Sequence, residues 1–260
     1  MELLMVGERD LDRIQTLEEL SLNALPCLQQ ILDEGWLLRF ADGYTKRANS
    51  VTPLYPGGNF LSQKIARCEK IYENFNLPPI FRLTTNPQWL SLDQTLAELG
   101  YVKQNAVSVR VKSISDRADI SASNTQLNLT ITRELSEAWL DNYVHAANVP
   151  IQHWQTLSIM LDLIPHPTCY AYLQDRARFC GCALGVLERD YLGIFFLVTA
   201  KQQRRKGYGT QLLTAICDWG RNNGATTAYI QVEVANQAGI NFYDRLGFRE
   251  NYQYFYRRQP

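Results

Sequence analysis

From Val198 to Gly209 the chain reads Val-Thr-Ala-Lys-Gln-Gln-Arg-Arg-Lys-Gly-Tyr-Gly, three consecutive cations followed by two glycines one residue apart. Those residue types at that spacing suit the binding of a phosphate or diphosphate. Before them, Leu192 to Val198 is apolar and β-prone; after them, Tyr208, Leu212, Ala215, Ile216 and Trp219 recur at helical spacing. The glycines therefore fall where a strand turns into a helix. Free backbone N–H groups, the positive end of the helix dipole and two residues without side chains together make an anion site there. Arg204, Arg205 and Lys206 add charge at its rim.

Arg-x-x-Gly-x-Gly lacks the third glycine of a dinucleotide fingerprint and the Gly-Lys-Ser/Thr ending of an ATP-binding loop. Its continuation is more informative. A helix over 207–222 ends at Asn222-Asn223-Gly224, Thr226 to Val234 reads as a strand, and a second helix from Ala238 stops at Leu246-Gly247-Phe248. This order, with Gln231-Val232-Glu233, Asn236 and Tyr243-Asp244-Arg245-Leu246-Gly247-Phe248, resembles the Gcn5-related N-acetyltransferase family.

The resemblance implies an N-acetyltransferase that moves the acetyl group of acetyl-CoA, bound as a cosubstrate, to a primary amine by direct attack in a ternary complex. Carried onto this chain, the loop from Arg204 through Arg205, Lys206, Gly207, Tyr208 and Gly209 to Thr210 grips the pyrophosphate. The pantetheine arm runs between splayed strands 192–200 and 226–234. Backbone groups of Leu197, Val198 and Thr199 bond the pantetheine and polarise the acetyl carbonyl, Asn236 makes a polar contact to the pantetheine, and Tyr243 gives a proton to the departing thiolate.

The residues themselves allow more than one role. Asn236 and Tyr243 are seven apart, two helical turns, and so share a face. A phenol can supply a proton as thiolate charge develops, but Tyr243 can equally be a core aromatic beside Phe242 and Leu246. Glu233 alternates with Ile230, Val232 and Val234 and projects to the more polar strand face. There it can take a proton from an ammonium directly or through water, or simply pair with an arginine; Glu188 is a second candidate. Tyr143, Asn148, Ile151, His153 and Trp154, on two helices over 134–147 and 151–163, are candidates for the wall of the amine pocket or for ordinary helix packing. Two other readings stay open: a non-catalytic acyl-CoA-binding regulatory module, and an acyltransferase using a longer acyl-CoA or a hydroxyl acceptor.

Composition frames these candidates. With 26 basic and 26 acidic residues the chain has no net charge, so no nucleic-acid surface is expected. No apolar run approaches a membrane span and the N-terminus has no secretory pattern, so a cytoplasmic location is expected. Six scattered cysteines read as reduced thiols. Cys180 and Cys182 share one side of a strand with no histidine cluster near them in sequence, and His145, His153 and His166 have no shared spacing, so no metal is expected.

At 260 residues and 46% hydrophobic content the chain can hold two cores. The polar stretch 113–126 is the best boundary, giving domains over 1–112 and 127–260. The first half reads as a worn copy of the second. It has a hairpin of Trp36 to Ala41 and Tyr44 to Val51 around Asp42-Gly43, a helix from Phe60 to Phe75, a strand from Ile80 to Thr84, and a helix from Leu90 to Leu99 followed by Gly100-Tyr101. Tyr55-Pro56-Gly57-Gly58-Asn59 stands where the cationic loop should be, and Leu96 stands where the second half has Tyr243. A leucine cannot donate a proton. The hairpin residues Arg39, Tyr44, Lys46, Arg47, Asn49 and Ser50 are candidates to face an acidic substrate group. The expected fold is thus α/β (α+β): two tandem copies, each a mixed, mostly antiparallel twisted sheet flanked by helices, in a monomer or homodimer.

Overall fold

The computed structural model describes residues 8–55, 60–115 and 127–260. In chain order the helices are α1 (Glu8–Ala24), α2 (Leu61–Asn74), α3 (Leu90–Glu98), α4 (Glu137–Ala146), α5 (Trp154–Asp162), α6 (Tyr208–Asn222) and α7 (Gln237–Arg245). The strands are β1 (Gln29–Asp33), β2 (Trp36–Phe40), β3 (Val51–Pro53), β4 (Ile80–Thr84), β5 (Val102–Ser113), β6 (Leu127–Thr132), β7 (Thr168–Asp175), β8 (Arg178–Glu188), β9 (Tyr191–Thr199), β10 (Thr227–Glu233) and β11 (Arg249–Arg258). They form two compact units: Met1–Val109 with Val232–Ile240 and Glu250–Pro260, and Arg110–Gln231 with Asn241–Arg249. This division is not a cut through the polar stretch after Ser113. The last strand, β11, pairs antiparallel with β4, Tyr254 opposite Thr84 and Arg258 opposite Ile80, so the end of the chain joins the first unit. Of the expected linker, residues 116–126 lie outside the described residues, as do residues 56–59 of the glycine-bearing loop.

In the first unit β1 and β2 are antiparallel about a tight turn at Glu34-Gly35, where both residues have positive φ (45° and 83°) as a two-residue hairpin requires. The turn at Asp42-Gly43 also forms, with Tyr44 N–H donating to the Ala41 carbonyl. It does not lead into a strand. Asn49 Oδ1 accepts from the N–H groups of Ala41 (2.7 Å) and Gly43 (3.0 Å), and its Nδ2 donates to Ala41 and Thr45 carbonyls, folding 41–49 into a closed loop. The strand expected over 44–51 is therefore shortened to β3, which pairs with β2. Arg39, a candidate substrate contact, is buried. Its guanidinium donates to the carbonyls of Leu22, Leu25 and Arg47, two of them at the end of α1, where a cation offsets the helix dipole. Asn49 and Ser50 are buried too, leaving Tyr44, Lys46 and Arg47 half-exposed.

One core of this unit gathers Trp36, Leu38, Phe40, Ile65, Tyr72, Phe81, Trp89, Leu96 and Tyr101. Helix α1 brings in Ile14, Leu17 and Leu20, together with one charge. Glu18 accepts from both terminal nitrogens of Arg82 and from the Tyr252 hydroxyl, while the guanidinium lies 3.8 Å from the Tyr254 ring centroid. Burial opposes the charge of Arg82, yet the Glu18 carboxylate and the tyrosines more than offset it.

In the second unit β6, β7, β8 and β9 run antiparallel in that order and β10 joins β9 in parallel. Helix α6 lies close on β8 and β9 because three contact points carry no side chain: a Cβ at Gly220 would stand 2.6 Å from Leu192, one at Gly185 2.8 Å from Ile216, and one at Gly181 3.0 Å from Leu212. Helix α4 starts at Ser136, whose hydroxyl accepts from Trp139 N–H, and the buried Trp139 indole donates to the carbonyls of Ala171 and Ala183. All six cysteines are free thiols. Among the described residues no helix is long and apolar enough to cross a membrane.

The buried pair gives a stability test. Glu18→Gln keeps the shape but strands the Arg82 charge, and should cost about 3 kcal/mol, read as a lower urea midpoint with an unchanged denaturant slope.

Candidate active site

Strand β9 begins as an ordinary parallel neighbour of β10, with Tyr191, Leu192 and Gly193 opposite Thr227, Ala228 and Tyr229. The pairing stops there. On its other edge the register against β8 shifts between Cys182 and Leu184, and Phe196 takes a left-handed φ of 54°. This is a β-bulge, which bends the strand and re-aims the residues after it. From Phe196 to Thr199 the residues are half-buried, whereas Leu192 to Phe195 are buried. Leu197, Val198 and Thr199 thus lie on a strand end that is still laddered to β8, Val198 opposite Cys182 and Thr199 opposite Gly181, but no longer to β10. Tyr143 of α4 meets Phe196 edge-on at 5.1 Å and stacks on Trp139, so aromatic packing holds the bulge. Nothing in the sequence marks Phe196, since an aromatic residue at positive φ is rare.

After Thr199 comes a short helical turn, Lys201–Gln203, then Arg204, Arg205 (φ 62°), Lys206 and Gly207 (φ 82°) before α6 starts at Tyr208. No side chain caps α6. The first turn of N–H groups, at Tyr208, Gly209 and Thr210, is left to be satisfied from outside the helix. The loop cations differ in posture. Arg204 Nε reaches the Thr199 carbonyl at 3.4 Å, Lys206 Nζ donates to the buried Gln203 at 2.8 Å, and Arg205 is exposed. Tyr208 is buried, its hydroxyl 3.2 Å from Asp175 Oδ2, and so anchors the helix start from beneath. A Cβ at Gly209 would meet Phe242 at 3.4 Å and Thr199 Oγ1 at 3.7 Å, one at Gly207 nothing within 4 Å; Gly207 is needed for its backbone angle.

Tyr243 lies in the same unit, between Phe242 (5.1 Å) and Phe248 (5.8 Å), and its hydroxyl bonds to no described residue. Burial pushes its pKa up to about 12. The end of α7 is held by Asp244, which receives Arg110 and, at 3.6 Å, Arg249, while Arg249 also donates to the Asp244 carbonyl. This clamp fixes the residue next to Tyr243, and sequence reading did not find it, because Arg110 is 134 positions away.

Glu233 and Asn236 belong to the first unit. Glu233 is exposed at the end of β10. Asn236 is not on the helix but caps it: its Oδ1 accepts Gly239 N–H at 2.9 Å, leaving the amide nitrogen for other contacts. Glu188 pairs with His166 at 3.2 Å at the Tyr191 end of β9, away from the bulge. Of the proposed wall residues, Tyr143 faces Phe196, Asn148 sits in a left-handed turn, Trp154 donates to the Val149 carbonyl with His145 edge-on to it, and Ile151 is 76% exposed. No metal-binding group of three or more His, Cys, Asp or Glu occurs among the described residues.

The family described as "Probable histone acetyltransferase Rv0428c C-terminal" matches residues 12–257. The chain belongs to that family of Gcn5-related N-acetyltransferases (GNATs). It is 27% identical over 252 residues to the "Uncharacterized N-acetyltransferase YobR" of Bacillus subtilis, covering 95% of this chain and 99% of that protein. Its fold is that of a GCN5-related N-acetyltransferase from Kribbella flavida, with a TM-score of 0.67, 15% identity and 95% of each chain covered. It is also that of a tandem GNAT protein from the clavulanic acid biosynthesis pathway, with a TM-score of 0.66, 11% identity and 85% and 77% of the two chains covered. The chain is accordingly a GNAT-type acyltransferase with a mixed sheet flanked by helices.

Gly207→Ala in this GNAT forces an alanine into left-handed backbone at a site with free space. It should cost about 1–2 kcal/mol, measured as a fall in Tm without loss of helical circular dichroism.

Proposed function

We propose that the chain transfers an acetyl group from acetyl-CoA to a primary amine by direct attack, the second unit holding the cosubstrate. The uncapped start of α6 behind left-handed Gly207, reached directly from the bulged end of β9, supports this reading most strongly. The N–H groups of Tyr208, Gly209 and Thr210 would bind the pyrophosphate, with Arg204, Arg205 and Lys206 neutralising its charge. Backbone groups of Leu197, Val198 and Thr199 would bond the pantetheine amides as a further strand would, and an N–H near Val198 would stabilise negative charge on the thioester oxygen.

Tyr243 would supply the proton that the leaving sulfur needs. With its pKa near 12 it stays protonated across the working range. It therefore acts as an acid at any pH at which an amine is free to attack. Glu233, exposed at the end of β10, is the proposed base, and Asn236 contributes through its free amide nitrogen.

The first half carries the same helix ending without the acid. Tyr101 N–H bonds the Leu96 carbonyl and Gly100 N–H that of Ala97; Phe248 N–H bonds the Tyr243 carbonyl and Gly247 N–H that of Asp244. Gly100 and Gly247 have φ of 86° and 87°. Leu96 thus holds the backbone place of Tyr243, which supports a degenerate first copy without turnover.

Calorimetric titration with acetyl-CoA tests the cosubstrate site. Wild type should bind, and Gly209→Trp, whose ring has no room under Phe242 and must cover the N–H groups, should not, both proteins melting cooperatively. Binding that is equal in the two would move the site elsewhere.

Tyr243→Phe tests the chemistry. It should lower kcat about 10- to 100-fold with little change in acetyl-CoA affinity. In wild type the acid form of Tyr243 should persist until the pH passes about 12, so kcat should show no descending limb below pH ~10. A limb near neutrality would remove the tyrosine from the chemistry.

A further inference from the structure

The loop closed by Asn49 presents Lys46 at the start of a short helical turn in the first unit. Its ammonium donates to Asn105 Oδ1 and stands 5.6 Å from the Tyr256 ring centroid. Asn105 itself has a left-handed φ of 46°, a local kink in β5, and is exposed. The next residue, Ala106, accepts the N–H of Val234 at 2.8 Å, and Val234 follows Glu233 directly. These contacts bring the elements that carry Lys46 and Glu233 together, and the Glu233 carboxylate is near enough to act on the Lys46 ammonium. Arg258, at the end of β11, is the second cation close enough to act on Lys46. Arg258, Glu233 and Asn105 are exposed and Lys46 is half-exposed, so this surface meets solvent.

Three facts about this group need a common explanation. A half-buried ammonium bears a desolvation cost, and only one of its three N–H bonds is used, on a neutral amide. Burial and the charge of Arg258 both weaken the hold of Lys46 on its proton, and only Glu233 strengthens it. Two cations and one acid meet around Lys46, so an acceptor arriving there as a bare ammonium meets net repulsion.

We propose that Lys46, supported by Arg258, binds a carboxylate on the acceptor, so that the substrate is a small amine carrying its own carboxylate and not a polyamine or a basic peptide. This rests on the reading of Glu233 as the base. The carboxylate of such a molecule cancels the excess positive charge, its remaining contacts being the two free N–H donors of Lys46 and the Arg258 guanidinium. Its amine is thereby delivered toward Glu233. Lys46 is a specificity residue in this scheme and takes no part in proton transfer.

The test is initial-rate thiol release from acetyl-CoA with glycine, β-alanine and γ-aminobutyrate, each beside its amide, and with putrescine and a lysine-rich peptide. In wild type at least one acid should exceed its amide about tenfold in kcat/KM, as one charge-assisted contact allows. Lys46→Gln should bring that ratio to about one, through KM for the acid, and Lys46→Arg should restore most of it. Arg258→Gln, at the exposed end of β11, should lower the ratio about threefold and does not disturb the Asn49-closed loop. Equal use of acids and amides, equal loss on both in Lys46→Gln, or a preference for putrescine or the basic peptide would each overturn the inference while leaving the transferase reading intact. Acetyl-CoA binding without turnover of any amine would overturn both.

Discussion

How closely α6 approaches the sheet decides where its N-terminus points, and that distance is set by hydrogen atoms standing where side chains would be. Gly181 and Gly185 on β8 and Gly220 on α6 each face a leucine or isoleucine that a Cβ would overlap. With those positions filled, the helix would have to lift, and with it the N–H groups of its first turn. Anion binding by backbone donors is steep in distance, because a hydrogen bond weakens within a few tenths of an ångström. The packing of an apolar helix face thus sets where the polar groups at the helix end stand. The bulge at Phe196 is the second half of the same arrangement: it frees the end of β9 from β10, while Trp139 and Tyr143 absorb the strain of a left-handed aromatic residue.

Much of the second unit was legible because its signals are local. The strands over 168–175, 178–188 and 191–199, the cationic loop and the C-cap at Gly224 all follow from alternation, helical spacing and glycine placement, and the structure has them at those positions. What the sequence hid is non-local. The hairpin turn at Asp42-Gly43 was readable, but not the Asn49 side chain that cancels the strand after it. The pairing of β11 with β4 depends on partners far along the chain. Helix α1 carries a mostly polar sequence whose buried glutamate makes sense only once Arg82 and Tyr252 are beside it.

The same limit applied to the site. The loop ahead of α6 was legible as a structural element because a run of cations before Gly-x-Gly is visible in one dimension. Asn236 was read as a helix-face residue, two turns from Tyr243, yet it stands one position outside the helix and spends its oxygen on the cap. Arg39 had the residue type of a substrate contact and proved to close the end of α1. Charged residues are ambiguous in sequence because the same guanidinium serves a ligand or a helix carbonyl equally well; burial separates the two uses.

The interleaving of the two units has a consequence for how the molecule is made. The first unit draws on residues 234 positions apart, Glu18 from α1 and Tyr252 from β11 meeting in one buried cluster. During synthesis the first unit must wait, with the β4 edge bare and Glu18 lacking its tyrosine, until β11 has left the ribosome. The second unit needs no such delay for strands β6 to β9, whose pairings are all between neighbours in sequence. Contacts of this sequence separation are formed late and slowly, so strands β6 to β9 are placed to pair early and the first unit to be finished last.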